Sequence, residues 1–147
     1  MVIVAPVLIY LLPKYKELAT FTLKYDQFCV VSGDITHKEN VKTALQGADC
    51  VFHIASFGNS GKEMLQTRRI DEVNIEGTRI ILDVCLEFKI KRLVYVSTYN
   101  VVFGGKEIVN GDENLPYIPL HQHISPYARS KAVAEHLVLS YNATPFR

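Results

Sequence analysis

A chain of 147 residues, 48% hydrophobic and 21% charged, is long enough to bury one core and has the composition of a globular domain. Sixteen basic against fifteen acidic residues leave a formal charge of +1, with neither sign gathered into a long run, which argues against a nucleic-acid partner or a polybasic membrane patch. Three cysteines without Cys-x-x-Cys spacing fit reduced thiols in a reducing compartment better than a disulfide frame or a metal site. Met1 to Leu12 is apolar, but it lacks a basic start and is well short of the ~20 residues a spanning helix needs. It reads as a core strand or a truncation edge, with a membrane anchor as the less favoured alternative.

From about residue 28 onward, short β-rich runs alternate with helical periodicity, the pattern of βαβ units around a parallel sheet. The division expected is a divergent segment over residues 1–27 and a domain over 28–147. Phe28 to Ser32 is the first strand, ending at Gly33-Asp34, and Thr36 with Glu39 forms a capping box that should open a helix closed by Gly47. Cys50 to Ala55 is the next buried strand. Between about Glu63 and Lys89, Ile81, Val84, Cys85 and Phe88 recur at spacings of three and four and predict a long helix with one stripe on the sheet.

Arg92 to Thr98 predicts a third strand, adjacent and parallel to the other two. A loop bearing Pro116 and Pro119 follows. Ser125-Pro126 then supplies an N-cap and a proline at the first helical position. The sheet would normally continue past that helix, so the C-terminus reads as cut.

The last helix carries the chemistry. Tyr127 and Lys131 lie four residues apart, on one face and one turn from each other. A neighbouring cation and the N-terminal end of a helix both favour a phenolate, so Tyr127 can exchange a proton with an alcohol or carbonyl. Alone, the spacing also fits a solvated lysine beside a packed tyrosine. The Ser97-Thr98 hydroxyl pair at a strand end shifts the balance, because open α/β sheets bind ligands at their strands' C-terminal ends.

Four ordered segments resemble the extended short-chain dehydrogenase/reductases, and within them the 3β-hydroxysteroid dehydrogenase/isomerase family. They are Val51-Phe52-His53-Ile54-Ala55-Ser56, Val73-Asn74-Ile75-Glu76-Gly77-Thr78, Leu93 to Thr98 with Phe103-Gly104-Gly105, and Tyr127 to Lys131. The resemblance runs from about Gly33 to Thr144 and is strongest to the branch called short-chain dehydrogenase/reductase family 42E. It implies a partial Rossmann-like, doubly wound parallel sheet and NAD or NADP as cofactor. It further implies an oxidoreductase acting on the CH-OH group of a small hydrophobic substrate of the steroid type.

By matching position, the resemblance makes Tyr127 the acid/base. Lys131 becomes the residue that favours the tyrosine's ionised form and holds the nicotinamide ribose. Thr98 becomes the substrate-polarising hydroxyl, with Ser97 in reserve. Asp34 and Ile35 match the element that borders the adenine, His53, Ile54 and Ala55 the strand beneath the ribose, and Asn74 the asparagine that braces the cofactor-side strands. Bland readings stand beside these: His53 as a core histidine, Asn74 as a polar helix residue, and His121 and His123 as a solvated loop without metal.

The chain departs from the family in one respect. All eight glycines lie at position 33 or later, so the Gly-x-x-Gly-x-x-Gly turn that lets a backbone approach a pyrophosphate is absent. The family's C-terminal substrate region is missing too. Competing readings are therefore a nucleotide-sugar epimerase or dehydratase with the same catalytic residues, and a non-catalytic truncated isoform. The localisation that follows is cytoplasmic, or the cytoplasmic face of an internal membrane for a full-length relative.

Overall fold

Short parallel strands alternate with helices in the computed structural model, which describes residues 7–10 and 29–142. Strand β1 (Val7–Tyr10) pairs in parallel with β2 (Cys29–Ser32), Val7 opposite Cys29 and Tyr10 opposite Ser32. Strand β3 (Cys50–His53) pairs in parallel with β4 (Arg92–Tyr95), Cys50 opposite Arg92 and His53 opposite Tyr95. Among the described residues no ladder joins the two pairs. The predicted adjacency thus holds for β3 and β4, whereas β2 takes β1 as its neighbour. The apolar run Val7-Leu8-Ile9-Tyr10, read from the sequence as a core strand or a truncation edge, is the observed neighbour of β2. Apart from Val7–Tyr10, the segment expected to diverge over 1–27 lies outside the described residues.

Helix α1 (Lys38–Leu45) follows β2, but its expected capping box does not form. The Thr36 hydroxyl donates to Asp34 Oδ1 at 2.8 Å instead, and the Thr36 N–H donates to the same oxygen at 2.9 Å, closing a local turn that competes with the cap. His37 becomes the N-cap residue and makes no side-chain bond. Gly47 ends α1 as predicted, in the left-handed region at φ 77°.

The predicted long helix is built in pieces. A 3₁₀ turn (Gly61–Leu65) leads into α2 (Thr67–Asp71), a π-helical turn (Glu72–Glu76) and α3 (Gly77–Glu87). Ile81, Val84 and Cys85 face the core as expected, packed with Ile35, Val41, Leu45, Val51 and Ile90. Phe88 does not join them and stays exposed. The helix stops there, because Lys89 turns left-handed at φ 58° and directs Ile90 inward in its place. Bonds from the Lys89 N–H to the Leu86 carbonyl at 3.1 Å and from the Ile90 N–H to the Cys85 carbonyl at 2.8 Å complete a Schellman ending.

Helix α4 (Pro126–Asn142) begins at the predicted cap: Ser125 Oγ accepts from the Ala128 N–H at 3.1 Å. Strand β4 differs from the buried run expected of it. Its residues alternate between exposed and half-buried, with Val94 exposed, and Val96 just beyond the strand is open to solvent as well. Cys85 is a buried free thiol, pushed up to about 12 by burial, and Cys50 is half-buried and free. No helix among the described residues is long and apolar enough to cross a membrane.

Candidate active site

Helix α4 packs against α2, α3 and the π-helical turn and reaches the end of β4 through Lys131; on its buried face stand Tyr127 and Lys131, at 9% and 2% exposure. A buried ammonium needs partners. Lys131 Nζ donates to the Val96 carbonyl at 2.7 Å and stands 4.1 Å from the centre of the Tyr95 ring. Burial lowers the Lys131 pKa to about 8, against the pull of the nearby Glu135 carboxylate. The Tyr95 hydroxyl is buried without a partner, and burial, then the charges of Glu135 and Tyr127, keep it neutral. The Tyr127 hydroxyl neither gives nor takes a hydrogen bond among the described residues, so its proton remains available.

Beneath this face lies a buried polar chain. His53 Nε2 is 2.8 Å from the Thr78 hydroxyl, which itself donates to the Asn74 carbonyl at 2.7 Å. A hydroxyl has one proton, so His53 must be the donor, carrying its hydrogen on Nε2. Burial, helped by the charge of Lys131, lowers its pKa to about 3 and leaves it neutral. Asn74 is 2% exposed. Its Oδ1 accepts from the Phe57 N–H at 2.8 Å, and its Nδ2 donates to the Phe57 carbonyl and the Ser130 hydroxyl, each at 2.9 Å. The loop after β3 is thereby tied to α4 beside Lys131.

The Asn-x-x-Gly-Thr spacing now has a physical reading. Asn74 holds the loop and α4, Thr78 holds His53, and Gly77 makes room for Ile35, whose Cδ1 would stand 2.7 Å from a Cβ at that position. The residues expected along the cofactor divide accordingly. The side chains of His53 and Ile35 lie in the core at 3% exposure each. Ile54 is exposed and Ala55 is half-buried at the end of β3.

Asp34 is bound from two sides, by Thr36 and by Arg69 Nη2 at 2.9 Å. Burial pushes its pKa up, but the bonds from Thr36 and Arg69 outweigh that and hold it below the ordinary carboxylate value. The two hydroxyls at the end of β4 diverge. Ser97 Oγ donates to Glu135, and Thr98 Oγ1 caps the following 3₁₀ turn (Tyr99–Val101) by accepting from Asn100. Glu135, Ser130, Tyr95 and Arg69 were not anticipated as site residues. A signal existed for one of them, since Glu135 follows Lys131 at i,i+4.

Comparison with known proteins follows the same outline. The sequence model of the 3-beta hydroxysteroid dehydrogenase/isomerase family matches residues 9–147. Over 117 residues the chain is 56% identical to short-chain dehydrogenase/reductase family 42E member 1 of Homo sapiens, a match covering 78% of this chain and 30% of that protein. It is 37% identical over 122 residues to a 3-beta-hydroxysteroid dehydrogenase of Mycolicibacterium neoaurum, covering 80% of this chain and 33% of that one. Among solved structures, the dTDP-glucose 4,6-dehydratase DesIV of Streptomyces venezuelae, crystallised with NAD, superposes with a TM-score of 0.71 at 27% identity, covering 84% of this chain and 37% of that chain. The chain spans about a third of the length of the relatives it matches.

Proposed function

Because the chain belongs to the 3-beta hydroxysteroid dehydrogenase/isomerase family, we propose that it carries the catalytic helix of an NAD(P)-dependent oxidoreductase acting on the CH-OH group of a hydrophobic alcohol of the steroid class. One observation carries this reading: the buried Lys131 ammonium at the end of β4, one helical turn from a Tyr127 hydroxyl that has no partner among the described residues. In this role Tyr127 gives its proton to a substrate oxygen or takes it back. The charge of Lys131 and the N-terminal end of α4 stabilise the negative oxygen left behind. Thr98 Oγ1 donates to the same substrate oxygen.

On the nicotinamide side the residues fit the cofactor: Lys131 spends one N–H on Val96 and retains donors for a ribose, and the backbone just past β3 is exposed at Ile54 and half-buried at Ala55. When bound, the nicotinamide supplies or accepts the hydride. The opposite side fits less well, since Asp34 is already paired with Arg69 and Thr36 and the chain has no glycine-rich strand-turn-helix. Binding by this chain is therefore weaker than by a full-length relative, and turnover is low.

The loop between β4 and α4 exposes Ile108, Val109, Leu120 and Ile124, which supports an apolar substrate over a sugar nucleotide. The similarity to a dTDP-glucose 4,6-dehydratase keeps a nucleotide-sugar epimerase or dehydratase as the second reading. Calorimetric titration with NAD and NADP, followed by hydride-transfer assays with a 3β-hydroxysteroid and with dTDP-glucose, tests both. The expected result is weak NAD(P) binding and slow steroid oxidation that Tyr127→Phe abolishes without loss of stability. Turnover of the sugar nucleotide alone would favour the second reading. Steroid oxidation that survives Tyr127→Phe would overturn the assignment of the acid/base.

A further inference from the structure

Glu135 lies one helical turn beyond Lys131 and two beyond Tyr127 on α4, and its two carboxylate oxygens serve two different elements. Oε2 accepts from the Ser97 hydroxyl at the end of β4, and Oε1 accepts from the Tyr117 hydroxyl in the loop before α4 at 2.8 Å. The Tyr117 ring then packs on the His136 ring, with centroids 4.2 Å apart. One turn back, Lys131 reaches the Val96 carbonyl and the Tyr95 ring. Three consecutive residues, Tyr95, Val96 and Ser97, are thus gripped by two side chains of opposite charge at i,i+4 on one helix.

Counting protons then separates the two hydroxyls at the strand end. A hydroxyl carries one proton and two lone pairs, and an ionised carboxylate can only accept. Ser97 therefore spends its proton on Glu135. Thr98 Oγ1 accepts from the Asn100 N–H at 3.3 Å and from Asn100 Nδ2 at 3.1 Å, which fills its lone pairs, while no described residue accepts its proton. Bonds accepted by an oxygen polarise the O–H it carries.

We infer that Glu135 is a positioning residue of this site: by taking the Ser97 and Tyr117 protons, it pins the end of β4 and the loop to α4 and leaves Thr98 as the hydroxyl that donates to a substrate oxygen. The use of that donated bond rests on the oxidoreductase reading, whereas the pinning stands without it. The arrangement also explains why two adjacent hydroxyls of similar chemistry are not interchangeable. Ser97 could replace Thr98 only by giving up its carboxylate.

The test uses the whole 147-residue chain in solution, by NMR and without ligand. In mixed light and heavy water, the Ser97 hydroxyl proton should exchange more slowly than that of Thr98, read as resolved isotope-shifted Cβ signals. Glu135→Gln keeps the shape but offers one accepting oxygen in place of two. It should speed Ser97 exchange, shift the Tyr117 signals, and move the Lys131 side-chain titration to lower pH as the opposing charge is lost. Glu135→Asp should restore part of the Lys131 shift. The other charged or titratable groups at Lys131 are Tyr95, Tyr127 and His53, and none is altered by these substitutions.

Should Glu135→Gln unfold the chain, Ser97→Ala and Tyr117→Phe replace it, and each should disturb Glu135 signals while leaving Asn100 unmoved. Faster exchange at Ser97 than at Thr98, or a Lys131 titration unmoved in folded Glu135→Gln, would overturn the proposal. Failure to bind NAD or NADP would instead count against the oxidoreductase reading and leave these exchange results intact.

Discussion

Two faces of the helical layer make polar contacts in opposite ways. Around Asn74 and Thr78, where the π-helical turn and the start of α3 meet β3, the loop after it and Ser130 of α4, the contacts are neutral and buried or part-buried: His53 with Thr78, Thr78 with Asn74, Asn74 with Phe57 and Ser130. Where α1 meets the end of α3, they are charged and open to water, with Lys38 at 3.2 Å and Lys42 at 2.6 Å from the two oxygens of Glu87. The buried set fixes geometry, since each group has one arrangement that satisfies it and solvent cannot substitute. The exposed set is replaceable, because water and salt offer the same partners.

The contrast is broken most directly at Asn74. Asn74→Ala strands the Phe57 N–H and carbonyl and removes a donor from Ser130, so urea unfolding should show a loss of about 3 kcal/mol. A loss like that of a surface substitution would show that water reaches the site.

Acid should find the same face next. The folded pKa of His53 is depressed to about 3 from an unfolded 6.5, so its contribution is intact above pH 6.5 and is lost as pH falls towards 3. Across that window the unfolded chain binds the extra proton, and stability should drop by about 1.4 kcal/mol per pH unit from this group. Denaturation midpoints measured from pH 7 to pH 4 should show this slope, and His53→Gln should flatten it.

A smaller effect of opposite sign is expected at the helix ends. Helix α1 closes on Gly47 and α3 closes on Lys89, both left-handed, but only glycine adopts that backbone without a steric penalty. Lys89→Gly should therefore raise stability by about 1 kcal/mol in thermal or urea unfolding. Smallest of all, Glu87→Gln should leave the urea midpoint within error at physiological salt, and a difference should emerge only at low ionic strength.

What could be read from the sequence was local. The Ser125-Pro126 start of α4 and the Gly47 stop of α1 depend on neighbours within a few residues, and both form as expected. The Thr36 cap did not form: the Thr36 hydroxyl and N–H both donate to Asp34 Oδ1 in a local turn, and the helix starts one residue later, behind His37. The partner of β2 could not be read, because every apolar strand offers the same backbone groups to its neighbours. At the site, the Tyr127 and Lys131 spacing was visible, whereas the grip of Glu135 on Ser97 and Tyr117 spans 38 and 18 residues and leaves no periodic trace. The π-helical turn that seats Asn74 was equally hidden, since its residues also suit an ordinary helix.

Strand β4 has a practical consequence for anyone handling this chain. Its second edge has no neighbour among the described residues, and Val94, Val96 and the nearby Ile54 are open to water. An edge left open in that way is a template for strands of other molecules, and Lys91 and Arg92 stand at its entry as charges that repel them. Turbidity that grows with protein concentration and falls when Val94 is changed to lysine would trace such self-association to this strand.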